Sequence, residues 1–207
     1  PVSLVSVAPN VLVVHPSLPA KSVKELIALA RARPGQVLFA GSGSGSTPHL
    51  AAELFNTLAR VRMVHVPYRG SGPAIVGLMS GEASVMFMPT TNAVPLVKEG
   101  RLRALAVTTR ERLAALPELP TVAESGLKGY ESSQWYGVLA PAGTPEEITA
   151  LLNSHIVEIM QSPDMKRRLA GEGVIAVGGS REQFASHIKA EIAKWAKVIK
   201  ESGARVD

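Results

Sequence analysis

The chemistry of this sequence is densest between Phe39 and Leu50, FAGSGSGSTPHL. There an apolar run ends in Gly41, Gly43 and Gly45, interleaved with Ser42, Ser44, Ser46 and Thr47, and then opens into the apolar-periodic stretch Leu50 to Leu58. This is the layout of a strand, an amide-rich turn and a helix N-terminus, which together offer backbone N–H groups and the positive end of a helix dipole to an anion. Phosphate motifs fit it poorly. No lysine stands where a P-loop needs one, and the glycines alternate where a dinucleotide fingerprint requires G-x-G-x-x-G. What remains is a set of amides at Gly43, Ser44 and Gly45, backed by the hydroxyls of Ser46 and Thr47. Such a set can hold a carboxylate by charge-assisted hydrogen bonds.

Two further polar turns follow strand-like runs. Tyr68 to Gly72 offers the amides of Gly70 and Ser71 ahead of a helix, with Arg69 either neutralising an anion or lying in solvent. Pro89, Thr90 and Thr91 form the third turn, where a helix cap explains the threonines as well as a site does. The histidines supply no diagnostic pattern. His49 and His65 could approach each other at adjacent strand ends, yet neither belongs to an HExxH motif, and no zinc-ligand spacing is present. Packing or capping on the helix's first turn is the simpler role for His49. A serine nucleophile at Ser42 or Ser44 has no proper G-x-S-x-G elbow, and Asp164 and Asp207 are the only aspartates. A serine hydrolase of small esters or amides is the enzyme alternative, and a protein-interaction module a third.

The elements that must position these turns read clearly. Val2 to Val14 is one or two strands broken near Pro9 and Asn10; Ser22 with Glu25 is a capping box for a helix to about Ala32; Val37 to Ala40 is a strand feeding the glycine-rich turn. Met63 to Val66, Ser84 to Met88 and Arg103 to Val107 are further strands, with helices at Leu50 to Leu58, Pro73 to Met79 and Asn92 to Lys98. Continuous apolar strands alternating with helices predict a largely parallel sheet covered on both faces, with ligands at the carboxyl ends of its strands. In Met86-Phe87-Met88 the methionines face one side and the phenylalanine the other.

After Arg110 the character changes. Leu116 to Gly129 is a punctuated connection with a capped turn at Thr121 to Glu124. Tyr130 to Ala140 is an extended crossing whose Trp135 and Tyr136 either line a cleft or fill the strand's two faces. Three helices follow, starting at Thr144-Pro145, Ser162-Pro163 and Ser180, with a short strand at Val174 to Val177. The last helix, Glu182 to Lys200, is expected to bury Phe184, Ile188, Ile192, Trp195 and Ile199. This section has little sheet of its own, so it reads as part of a second lobe that needs more strands.

Composition sets outer bounds. The 207 residues are 46% hydrophobic and 4% aromatic, enough for a packed core of Val, Leu, Ala and Ile. No apolar run is long enough to span a membrane. The absence of Cys removes disulfides and thiol chemistry. The formal charge of +5 comes from scattered basic residues, the densest cluster being Lys166 to Arg168, which is a mild bias toward anions and no nucleic-acid footprint.

Taken in order, Val11 to Pro19, Ser22 to Leu29, Gly43-x-Gly45-x-x-x-His49-Leu50-Ala51, His65-Val66-Pro67-Tyr68-Arg69-Gly70, Leu102 to Val107, Leu119 to Glu124 and Trp135 to Pro145 strongly resemble the Bug (TctC) family. These are periplasmic substrate-binding components of tripartite tricarboxylate transporters. The resemblance implies an α/β, two-lobed periplasmic-binding-protein-like fold (type II, venus flytrap). It implies a non-catalytic receptor without cofactor or metal that closes on a small organic carboxylate in the periplasm and presents it to a membrane permease of the tripartite tricarboxylate type. By position it places ligand contacts at Gly43, Ser44, Gly45, Ser46 and Thr47, with support from Tyr68, Gly70 and Ser71 and from Pro89 and Thr90 after Phe87. Family members continue further at the N-terminus. The expectation is therefore a complete lobe over residues 8–133, with 1–7 and 134–207 supplying crossing segments and the C-terminal part of another lobe whose N-terminal part is missing. An uncovered second-lobe surface would then self-associate. At Met88-Pro89 many members look like Phe-Asp-Asn, and losing that acidic side chain weakens any preference for a ligand bearing an amino group.

Overall fold

The computed structural model describes residues 1–204, which divide into two compact units, Pro1–Ala8 with Gln134–Ala196 (unit 1) and Pro9–Ser133 with the chain from Lys197 onward (unit 2). One strand, β1 (Ser3–Val14), contributes its first half to unit 1 and its second half to unit 2. The run expected to break near Pro9 is continuous.

Unit 2 is a sheet ordered β3-β2-β4-β1-β5, built from β2 (Leu38–Gly41), β3 (Val64–Pro67), β4 (Val85–Pro89) and β5 (Arg103–Val107) around the second half of β1. β2 runs parallel to β3 and β4, but β1 lies antiparallel between β4 and β5, pairing Leu12 with Phe87 and Asn10 with Pro89. The sheet is therefore mixed, and not the largely parallel one expected: β1 is inverted in its interior, so the pairings on both its sides are antiparallel. Both faces are covered, which is why its strands are apolar at successive positions. On one face Val11, Val13, Ala40, Met86 and Met88 form a cluster with Ala74 and Leu78 of α3 (Ser71–Met79) and Ala93 of α4 (Thr90–Lys98). On the other, Phe87 meets Phe55 of α2 (Thr47–Ala59) and Tyr130 at ring-centroid distances of 5.9 and 6.1 Å. The alternation expected at Met86-Phe87-Met88 is present, and both sides are packed.

Local signals are realised where side chain and backbone are close in sequence. Ser22 caps α1 (Val23–Ala32), its hydroxyl accepting from the Glu25 amide at 3.2 Å, while Glu25 Oε2 accepts from Lys21 N–H at 2.8 Å. The turn at Thr121 closes reciprocally, Thr121 and Glu124 each accepting from the other's amide, at 2.9 and 3.0 Å. At the far end of α2, Asn56 pins the entry to β3, exchanging two hydrogen bonds with the Met63 backbone.

Unit 1 pairs the start of β1 with β6 (Ser133–Val138) and with the two-residue β7 (Ile175–Ala176), and packs α5 (Glu146–Gln161), α6 (Pro163–Gly171) and the body of α7 (Arg181–Ser202) around them. Phe184 is buried, edge-on to Trp135, and its ring occupies the space a β-carbon on Gly137 would need, 2.1 Å away. Trp135 therefore packs, while Tyr136 is half exposed. The stripe expected on α7 needs correction. Ile192 and Ile199 are exposed, and the packed face runs through Phe184, Ile188, Glu191, Trp195 and Val198. Alternating steps of four and three hold one face at 3.6 residues per turn, whereas Ile192 lies about 80° round from Phe184. Helix α5 carries a second apolar stripe, Ile148, Leu151, Leu152 and Ile159, on its exposed side.

Candidate functional site

Strand pairing brings the three polar turns to one edge. Gly41 lies in register with Pro67, and β4 continues past them to Pro89, so the ends of β2, β3 and β4 deliver Ser42–Ser46, Tyr68–Gly70 and Pro89 side by side. Each turn leads directly into a helix: α2 begins at Thr47, α3 at Ser71 and α4 at Thr90. These three starts differ from the rest. None of α2, α3 and α4 has a side-chain N-cap or an acidic residue in its first turn. Helices α1, α5, α6 and α7 all have an acid there, Glu25, Glu146 with Glu147, Asp164 and Glu182 respectively. Protein side chains thus neutralise four helix N-termini and leave three converging ones positive, which is the electrostatic condition for holding an anion.

The donor set is smaller than the sequence suggests. The Gly45 amide donates to His49 Nδ1 at 2.9 Å, the Ser46 amide to the Gly43 carbonyl at 3.2 Å, and the Gly70 amide to the Tyr68 carbonyl at 2.9 Å. Those three N–H groups shape their loops. Gly43, Gly45 and Gly70 have φ values of 122°, 76° and 103°, backbone that side-chain-bearing residues avoid, so glycine is needed there for the chain to turn. Tyr68 contributes backbone only, because its phenol reaches back to α3, where a β-carbon on Gly77 would lie 2.1 Å from the hydroxyl. Burial, then the neighbouring Glu82 carboxylate, pushes that phenol up to about 12. The Thr90 hydroxyl donates to the Pro9 carbonyl at 2.8 Å, tying the start of α4 to β1. Ser44, Thr47 and Ser71 keep their place at the edge.

The buried polar atoms here without a hydrogen-bond partner among the described residues include Ser46 Oγ and Asn10 Nδ2. Asn10 is 1% exposed and stands opposite Pro89, with its backbone fixed by Thr108. Sequence reasoning used Asn10 only as a strand break, since nothing local reveals that β1 passes beside the end of β4. Buried polar groups are almost always paired, so both atoms are places where a bound polar group would complete the pairing.

The histidines do meet. His49 and His65 stack with ring centroids 3.9 Å apart and planes 8° from parallel, Phe39 lies 5.1 Å from His65, and His49 Nε2 is 3.7 Å from Glu53. Gly41 is what admits His65, for a β-carbon there would come within 2.2 Å of its Nε2. Gly41→Ala is therefore expected to destabilise the protein by about 1–3 kcal/mol through overpacking against a ring already held by its neighbours. Calorimetry reads this as a lower melting temperature, and an unchanged one would mean that His65 is not confined.

A recess of about 600 Å³ opens in unit 1. The helix N-termini that reach it, of α5 and α7, carry Glu146 and Glu182, and Arg181 is paired with Glu146 at 3.3 Å. Its charges already answer one another. No group of three or more His, Cys, Asp or Glu residues able to hold a metal occurs among the described residues, and no described helix is long and apolar enough to cross a membrane.

Residues 1–204 match the family model described as "Tripartite tricarboxylate transporter family receptor". The chain is 39% identical over 206 residues to protein BugT of Bordetella pertussis, covering all of this chain and 63% of that protein, so it spans about three fifths of that relative's length. Among solved structures it is similar to R. palustris Rpa4515 with adipate (40% identity, TM-score 0.88, all of this chain and 69% of that one). It is also similar to MatC from Rhodopseudomonas palustris with bound malate (31% identity, TM-score 0.80, 96% of this chain and 69% of that one).

Proposed function

Because this chain belongs to the tripartite tricarboxylate transporter receptor family, we propose that it serves as a periplasmic solute-binding receptor, without turnover, for a small organic carboxylate passed on to a tripartite tricarboxylate-type permease. The observation that carries this reading is the contrast between helix starts. Three uncapped, acid-free N-termini converge on one sheet edge of unit 2, while the remaining helices are neutralised by their own side chains. The carboxylate is held there by amides and hydroxyls of Ser42–Thr47, with support from Ser71 and from the Pro89–Thr90 turn.

The ligand class narrows further on charge. Across 42–47, 68–71 and 89–92 the only charged side chain is Arg69, which is exposed, and no acid is present. An ammonium group would find no counter-charge on this edge, so unsubstituted or hydroxylated mono- and dicarboxylates are favoured over amino acids. The solved relatives holding adipate and malate are of the favoured kind. The test is nuclear magnetic resonance titration with adipate, malate, benzoate and glutamate. Saturable shifts confined to these three loops, weakest for glutamate, are expected, and shifts that are absent or scattered would overturn the reading.

A further inference from the structure

We propose that His49 and His65 are positioning residues for the carboxylate loop, which keeps its binding geometry only while His49 Nδ1 carries no proton. The consequence for ligand affinity rests on the receptor reading above, whereas the loop geometry does not. The first observation is the hydrogen bond from the Gly45 amide to His49 Nδ1, 2.9 Å long. An imidazole nitrogen accepts only when unprotonated, so the ring proton sits on Nε2, the edge turned toward Glu53 at 3.7 Å. The second is the stack. His65 lies flat against His49 with centroids 3.9 Å apart, and its Nε2 edge abuts Gly41, the residue from which the loop departs. Loop entry at Gly41 and loop turn at Gly45 therefore each rest on one of two rings in mutual contact.

Protonating Nδ1 would point two donors at each other across 2.9 Å and release Gly45. The charge that appears would be 5% exposed and in face contact with a second titratable ring, a costly place unless Glu53 compensates it. Among the described residues, the titratable groups recorded against His49 are Glu53 on its own helix and His65 on β3. The strand β2 contributes Phe39 and the loop contributes Gly45, neither of which titrates. A residue that merely fills space would be replaceable by any side chain of similar size. One that accepts a particular amide is replaceable only by another acceptor, and only a titratable acceptor makes the loop pH-dependent.

Both features can be measured on the protein with His49→Gln, whose amide oxygen accepts but does not titrate in this range, and His49→Leu, which does neither. In ligand-free protein titrated from about pH 8 to about pH 5, the Gly45 amide resonance should move as the His49 ring takes up a proton and stay still in His49→Gln. Adipate affinity should fall on acidification in the wild-type protein, approaching tenfold per pH unit for a one-proton linkage. The His49→Gln variant should match wild type within about threefold near pH 8 and lose less on acidification, the probe's own titration being common to both. His49→Leu should bind roughly tenfold more weakly near pH 8, the cost of one lost hydrogen bond; should it fail to fold, the comparison of wild type with His49→Gln decides alone. A Gly45 resonance indifferent to pH, or identical affinity profiles for wild type and His49→Gln, would overturn the positioning role while leaving the receptor reading intact. A titrating Gly45 with no adipate or malate binding at any pH would do the reverse.

Discussion

Ser46→Asp is expected to make the protein more stable and to abolish its carboxylate binding. Ser46 is the N-cap of α2 but makes no capping hydrogen bond, and no acid lies in that helix's first turn. A carboxylate at this position would bond the free first-turn amides and face the positive end of the dipole. Capping contributes about 1 kcal/mol and the dipole about 0.3–1 kcal/mol, so the melting temperature should rise by a few degrees. The same carboxylate would occupy the place proposed for the ligand's, and like charges brought together cost several kcal/mol, more than a hundredfold in affinity. Opposite signs for stability and binding separate this from a general disturbance. Thermal melts and adipate titrations on one preparation would read both, and retained binding would remove the α2 N-terminus from the site.

Tyr130→Ala should cost about 3–5 kcal/mol, the range for truncating a buried aromatic. The ring is 1% exposed, packs against Phe87 of β4 and Phe55 of α2, and donates its hydroxyl to the Ala51 carbonyl at 3.0 Å. It therefore fastens α2, whose start faces the site, to the sheet. Tyr130→Phe keeps the packing and should cost only about 1 kcal/mol, because Ala51 remains in the helix ladder. Burial also holds the Tyr130 phenol well above its ordinary range, in its neutral form. A folded value above the unfolded one means that this contribution is full below about pH 10 and is lost as the pH rises beyond it. Tyr68, raised to about 12, adds to the same trend between about pH 10 and that value. Urea midpoints taken from about pH 8 to about pH 11 should fall steeply in the wild-type protein and less so in Tyr130→Phe, and parallel curves would deny Tyr130 its part.

The boundaries of most elements were legible because the forces that set them act over a few residues. Thr121 with Glu124 and Ser180 with Gln183 each exchange side-chain and backbone hydrogen bonds at a separation of three, and Ser22 accepts from the Glu25 amide while the Glu25 carboxylate reaches back to the Lys21 amide, so composition alone announces them. The glycine-rich turn was legible for the same reason. Its alternation of Gly and Ser permits few backbones, and positive φ at Gly43 and Gly45 is what those glycines allow. Over many turns, as from Phe184 to Val198 on α7, small angular differences accumulate, so periodicity alone does not separate the exposed Ile192 and Ile199 from the packed face.

By itself, then, the sequence determined that an apolar strand must end in an amide-rich turn before a helix, and that two more turns repeat the arrangement. It also determined that no acid stands in any of the three. Only the tertiary structure decided which donors remain for a ligand. The Gly45 and Gly70 amides are taken internally, the Tyr68 phenol is turned to α3, and the Thr90 hydroxyl is bound to Pro9. It also decided that β1 enters antiparallel beside β4, which carries Asn10 to the end of that strand. The reason is physical. A residue's propensity to turn or to cap is settled by its near neighbours in the chain, whereas the partner that claims a given hydrogen or lone pair is settled by strand pairing and ring packing between residues far apart in sequence.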